Sequence, residues 1–215
     1  MLKAVIVYVP GSGGNLITRS LALADHTVAY VPESLAEQQP TLTLTAYEKL
    51  QLYNNWNPNN WTATEKDIGM WYQWGQQDFV NYEQSDLLLI DQFHPLAFED
   101  ETNKKILWDT VSKWEHIVMI TWQPASFDLI RRLACLKRKD LNHSAQLPKE
   151  IAAYNCMLAT NLGPTIAWEH MQDEQCYITE IDRLAHALHL QLNLDLVRQL
   201  WQSWRHATDT LLNNE

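Results

Sequence analysis

The first twenty-three residues constrain this chain more than any other stretch. Residues 2–9, Leu-Lys-Ala-Val-Ile-Val-Tyr-Val, are apolar on both parities, the pattern of a strand buried on both faces in a parallel sheet. Pro10-Gly11-Ser12-Gly13-Gly14-Asn15 breaks the run, and Leu16 to Leu23 then reads as a helix. In an open parallel sheet, ligands sit beyond the carboxyl ends of the strands. Glycines at that point let backbone amides turn inward without Cβ clashes, and the helix behind them offers free N–H groups and a positive dipole end to an anion. Gly11, Ser12, Gly13, Gly14 and Asn15 are therefore the candidate anion-binding residues, with Ser12 and Asn15 offering side-chain donors. The competing reading is a tight strand-to-helix turn with no ligand, although three glycines exceed what such a turn requires.

Further along, strand and helix patterns alternate. His26 to Val31 reads as a second strand, ended by Pro32, and Leu87 to Ile90 as a third. Ile117 to Thr121 reads as a fourth strand and Cys176 to Thr179 as a fifth. Helices are expected over Thr45–Tyr53, from Thr62 (a capping box with Glu65) to about Tyr82, and over Lys104–Trp114. Others are expected from Pro124 to about Lys139, from Pro148 to near Gly163, and over Asp182–Leu190 and Leu194–Leu212, with Asn193 as the last cap. Strands joined by segments of crossover length imply an α/β fold, a mostly parallel five-stranded sheet covered on both sides in three α/β/α layers. At 215 residues the chain suits one domain, with a helical, Trp-rich insertion at about 32–83.

Composition narrows the function classes. A net charge of −10 speaks against non-specific nucleic-acid binding, which needs a basic surface to displace phosphate counterions. It leaves room for a small anionic ligand at a locally positive site. Cys135, Cys156 and Cys176 form neither a disulfide framework nor a metal signature, and no metal is expected. There is no secretory signal pattern and no apolar run of membrane-spanning length, so a cytoplasmic protein without membrane contact is expected.

The loop matches neither common nucleotide motif. It lacks the Lys-Ser/Thr pair of GxxxxGK[ST], and Leu16 stands where GxGxxG needs its last glycine. Pro10, Ser12 and Gly13 instead fall in the register of the first motif of the sulfotransferase family, strand-Pro-x-Ser-Gly-x-x-helix. Ile90-Asp91-Gln92-Phe93-His94-Pro95 and Ile120-Thr121-Trp122-Gln123-Pro124 follow in the order of that family's later motifs. The chain thus resembles a small, P-loop-related sulfotransferase. That resemblance implies a P-loop NTPase-like core and 3′-phosphoadenosine 5′-phosphosulfate (PAPS) as sulfuryl donor. It also implies an unknown hydroxyl or amine acceptor, a carbohydrate or a small molecule. The loop would hold the 5′-phosphosulfate and the region after the fourth strand the 3′-phosphate. The sequence departs from the pattern where Gly11 replaces a lysine, Trp122 an arginine and Ile130 a serine; Arg131 and Arg132 are the residues available to substitute.

Sulfuryl transfer, like phosphoryl transfer, is mainly positioning plus stabilisation of charge on oxygen. The acceptor hydroxyl needs a base of near-neutral pKa. His94, just past the third strand, is the candidate base, with Asp91 as orienting carboxylate or alternative base. The competing reading of His94 is a loop histidine with a structural hydrogen bond. His186, His189 and His206 read as helix surface or packing residues. Arg19 is either a helper at the leaving group or a solvated side chain. Lys137, Arg138 and Lys139 suit a helix C-terminus without any ligand. Trp56, Trp61, Trp71 and Trp74 form either a stacking acceptor site or, as the i,i+3 spacing of the last two favours, core packing. Two alternatives stand beside the sulfotransferase-like transferase: a nucleotide-dependent, kinase-like phosphotransferase, and a catalytically inactive protein that keeps the fold for binding.

Overall fold

The structure, a computed structural model, describes residues 2–9, 11–24, 28–31, 45–54, 87–91, 116–138, 151–152, 154–155, 158–159 and 163–213. It is a mixed α/β fold. In chain order, the elements are β1 (Leu2–Val7), α1 (Gly14–Ala22), β2 (Val28–Val31), α2 (Ala46–Tyr53), β3 (Leu87–Asp91) and β4 (His116–Thr121). A 3₁₀ turn (Pro124–Ser126) then runs into α3 (Phe127–Arg138). β5 (Thr165–Ala167), a second 3₁₀ turn (His170–Gln172), α4 (Glu174–Ala187) and α5 (Leu194–Asn213) complete it.

The strands lie side by side in the order β2-β3-β1-β4-β5, every pairing parallel. β1 is central: Ile6 sits beside Asp91 of β3 on one edge and beside Val118 of β4 on the other. Paired on both edges and packed against α1, the strand holds Ile6 fully buried. β4 shows the same constraint, with Ile117, Val118, Met119 and Ile120 all buried.

α1 packs on β1, β2 and β3 and is covered in turn by α2, α4 and α5. Its polar residues Asn15, Thr18 and Ser20 are accordingly buried and bonded internally. Ser20 Oγ and the Tyr177 hydroxyl of α4 share a hydrogen bond of 2.8 Å, and Tyr177 donates to the Leu16 carbonyl at 3.3 Å. Burial pushes the Tyr177 phenol well above the ordinary tyrosine range, against the opposing effect of Ser20. Just past the C-terminal end of α1, the fully buried Lys49 of α2 donates from Nζ to the Ala24 carbonyl at 2.9 Å, satisfying an acceptor that the helix end leaves open.

The region after β4 departs from the sequence-based expectation in one important respect. Cys176 to Thr179, expected as the fifth strand, lies inside α4. Tyr177, Ile178, Ile181, Leu184 and Ala185 are its buried residues, a stripe of helical period longer than the four β-prone residues that suggest a strand. Asp173 starts the helix, its side chain accepting from the Cys176 amide at 2.8 Å. The strand role falls to Thr165–Ala167, three residues held beside β4 by bonds such as Met119 N to Pro164 O at 3.1 Å. The expected helices from Thr62 and over Lys104–Trp114 lie outside the described residues, as does the greater part of the Trp-rich insertion.

Caps decide the other helix ends. Thr45 and Glu48 form a reciprocal capping box at α2. The Asn193 side chain accepts from the amides of Asp195 and Leu196 at α5. His189, expected on a helix, lies just past the end of α4 in the left-handed region (φ 56°). The Leu190 amide reaches back to the Ala185 carbonyl at 2.8 Å, a helix stop that usually employs glycine. No described helix is long and apolar enough to cross a membrane. Replacing His189 with glycine removes the left-handed penalty of a side chain. The variant is expected to gain about 1 kcal/mol, read as a higher urea midpoint.

Candidate functional site

The strand order locates a crevice. From β1 the chain crosses to β2 on one side of the sheet, whereas from β4 it crosses to β5 on the other. Adjacent strands whose connections leave in opposite directions form a topological switch point, and the crevice lies beyond their carboxyl ends. The glycine-rich loop follows β1, and Trp122-Gln123 follows β4, so both lie at that end of the sheet.

Gly11 (φ 85°) and Gly13 (φ 83°) both adopt the left-handed conformation. The Ser12 amide turns back to the Val9 carbonyl at 3.1 Å, and the Ser12 hydroxyl donates to the same carbonyl at 2.7 Å. Ser12 is fully buried, so its one proton closes the turn. Gly13 caps α1 without a side-chain bond, and the first turn of α1 contains no acidic residue. Left-handed Gly13 followed by helical Gly14 is the backbone sequence that gathers successive amides into an anion-binding concavity. The contrast with the other described helices is physical: α2 has Thr45 and Glu48 at its amide end, α4 has Asp173, and α5 has Asn193 and Asp195.

The loop is also tightly enclosed. A Cβ at Gly11 would lie 2.3 Å from the Ile130 carbonyl of α3, and one at Gly13 2.8 Å from Met171 Cε, with Trp204 of α5 close behind. A Cβ at Gly14 would fall 2.0 Å from the Tyr8 ring. The Tyr8 hydroxyl donates to Asn15 Oδ1, leaving the amide nitrogen as the Asn15 group able to donate. Close packing therefore requires each glycine independently of any ligand.

Across the crevice, β1 and β4 part. Met119 and Thr121 of β4 bond toward β5, through Met119 N to Pro164 O at 3.1 Å and Trp168 N to Thr121 O at 2.7 Å. Ile120 therefore faces β1, whose pairing has already ended at Val7 beside Met119. The Tyr154 hydroxyl takes the vacant place, accepting from the Ile120 amide at 2.7 Å and donating to the Ile120 carbonyl at 2.8 Å. Its ring stacks on Trp122, with centroids 5.1 Å apart. Burial drives the Tyr154 phenol far above its ordinary pKa, against the opposing Ile120 hydrogen bond.

The 3₁₀ turn ahead of α3 already holds an anion. Glu169 Oε1 accepts from the Gln123 amide at 2.8 Å and from the Ser126 hydroxyl. Partial burial raises the carboxyl, but these hydrogen bonds, with smaller help from its own amide and from His170, outweigh it and hold the group below its ordinary pKa. Nothing local in the sequence marks Glu169 or Tyr154, because each acts on a segment more than thirty residues away.

The sequence-derived candidates fall as follows. Gly11 to Asn15 form one loop. Asp91 ends β3 beside Ile6, at the same end of the sheet as that loop. Arg131 and Arg132 are exposed on α3, whereas Ile130, Leu133 and Ala134 form its buried face. Arg132 donates to the Leu212 carbonyl at 3.2 Å, near the end of α5, about 12 Å along that helix from Trp204. His94, Trp56, Trp61, Trp71 and Trp74 lie outside the described residues. Among the described residues, no group of three His, Cys, Asp or Glu side chains is placed to hold a metal ion.

Tyr154→Phe leaves both Ile120 groups without their hydroxyl partner, and a loss of about 2–4 kcal/mol is expected in urea unfolding. For Glu169, whose folded pKa is depressed, the stabilising contribution is full above about pH 4.5 and is lost as pH falls through the lower folded value. Unfolding midpoints measured at pH 7 and pH 3 should therefore show a smaller acid loss in Glu169→Gln than in the parent. Equal losses would refute this role. No protein family, curated protein or solved structure matches this chain.

Proposed function

We propose that this chain is a sulfotransferase-like, nucleotide-binding transferase in which the β1–α1 loop holds the 5′-phosphate end of the donor. The observation that carries this reading is the amide end of α1. Left-handed Gly13 leads into a helix start with neither a side-chain cap nor an acidic residue, at the switch point of a parallel sheet. The corresponding architecture is a three-layer α/β/α domain of the P-loop NTPase-like or sulfotransferase-like kind. The parallel strand pairings support it, as does the helix that directly follows the central strand.

Two donors suit such a loop: PAPS, by the motif resemblance, and ATP, as in a kinase-like phosphotransferase. In either case His94 serves as the base that accepts the acceptor proton, with Asp91 at the end of β3 orienting it. The amide nitrogen of Asn15 is the side-chain donor that the loop itself supplies.

A second reading, a catalytically inactive binding protein, is favoured by a different observation. Tyr154 and Trp122 fill the opening between β1 and β4, where a nucleotide would otherwise settle.

Calorimetric titration with adenosine 3′,5′-bisphosphate, and in parallel with ATP and magnesium, separates the readings. Micromolar binding of at least one nucleotide, competed by inorganic phosphate, is expected for the transferase. His94→Ala should then keep donor affinity within about twofold while lowering turnover about 10²–10⁴-fold. Absence of binding by both nucleotides would overturn the transferase reading in favour of the inactive scaffold.

A further inference from the structure

Two turns follow the strands that flank the crevice, and they differ in one respect: the start of α1 carries no acidic side chain, whereas the 3₁₀ turn ahead of α3 holds the carboxylate of Glu169. Glu169 is not a distant surface residue. It lies on the short segment that joins the end of β4 to the glycine loop. One residue before it, the Trp168 amide bonds the Thr121 carbonyl at 2.7 Å. Two residues after it, Met171 abuts Gly13, and the Met171 carbonyl is held by Trp201 Nε1 at 2.9 Å. Both flanks are thus anchored, one to each wall of the crevice.

We propose that Glu169 is a specificity-determining residue that keeps a second anionic group out of the β4–α3 turn, so that the crevice selects nucleotides phosphorylated on the 5′ side alone. The proposal rests on the reading that the β1–α1 loop holds a phosphate. The Gln123 amide and the Ser126 hydroxyl would be the natural donors for a second phosphate at this turn, and Glu169 already consumes both. Those donors are neutral, and among the described residues no lysine or arginine forms an ion pair with Glu169. Its negative charge therefore stays in the crevice and repels a like charge. Two like charges a few ångströms apart near a protein surface differ in affinity by on the order of tenfold or more from a neutral pair. By this argument ATP is the better donor of the two named above, and PAPS, with its 3′-phosphate, the poorer.

The test compares adenosine 5′-phosphate, adenosine 3′,5′-bisphosphate and inorganic phosphate by calorimetry, on the full chain and on Glu169→Gln. Glutamine keeps a carbonyl acceptor for Gln123 and Ser126 while removing the charge. The parent protein should bind the monophosphate at least tenfold more tightly than the bisphosphate. Glu169→Gln should leave the monophosphate within about twofold, which also reports an intact fold, and strengthen the bisphosphate at least fivefold. Equal affinities in the parent, or an unchanged ratio in the variant, would overturn the role of Glu169 while leaving the loop reading intact. Failure of all three compounds to bind either protein would overturn the loop reading, and this inference with it.

Discussion

Three glycines set how closely the elements around the β1–α1 turn can approach one another, α3 and α5 among them. Ile130 and Ala134 of α3 lie against Gly11, Met171 and Trp204 against Gly13, and the Tyr8 ring against Gly14. A single methyl group at Gly11 or Gly14 would push into a helix backbone or a buried ring, and one at Gly13 into the Met171 methyl group with the Trp204 ring behind it. Because interiors pack at near-crystalline density, such a displacement could not be absorbed locally. The same closeness brings α4 onto α1, where Tyr177 joins Ser20 and the Leu16 carbonyl in the buried polar contact between those helices.

Helix termini give the molecule its electrostatic organisation. The Ala24 carbonyl, just past the carboxyl end of α1, is met by the buried Lys49 side chain, and the amide ends of α2, α4 and α5, with the 3₁₀ turn ahead of α3, are met by side-chain oxygens. The amide end of α1 relies instead on backbone conformation alone. An anion there would complete a pattern that side chains complete elsewhere, and this gives physical content to a nucleotide-binding reading in a chain with a net charge of −10. Local fields near oriented amides, not net charge, govern small-anion binding.

Much of the scaffold was legible because its signals are local. The apolar runs of β1 and β4, the proline ahead of α3 and the Asn193 cap of α5 each act within a few residues of themselves. The misassigned stretch, Cys176 to Thr179, failed for a reason equally local. Four β-prone residues read alone suggest a strand, and only the longer stripe reaching Leu184 and Ala185, with Asp173 ahead of it, reveals the helix. The true β5 is three residues long and is held by its neighbour, not by its composition. In the crevice, the glycine loop was visible as a motif. The functions of its side chains were not: Ser12 closes its own turn, Asn15 accepts from Tyr8, and Arg132 caps the far end of α5.

By itself the sequence determined a mostly parallel α/β arrangement, an apolar first strand and a glycine-rich turn able to present amides, since periodicity and glycine content are properties of contiguous residues. Tertiary structure alone decided what faces that turn. Tyr154 reaches Ile120 across thirty-four residues, and Glu169 reaches Gln123 and Ser126 across more than forty. Each is placed by the packing of the segment that carries it, and no local pattern encodes a hydrogen bond whose two halves meet only after the sheet has formed.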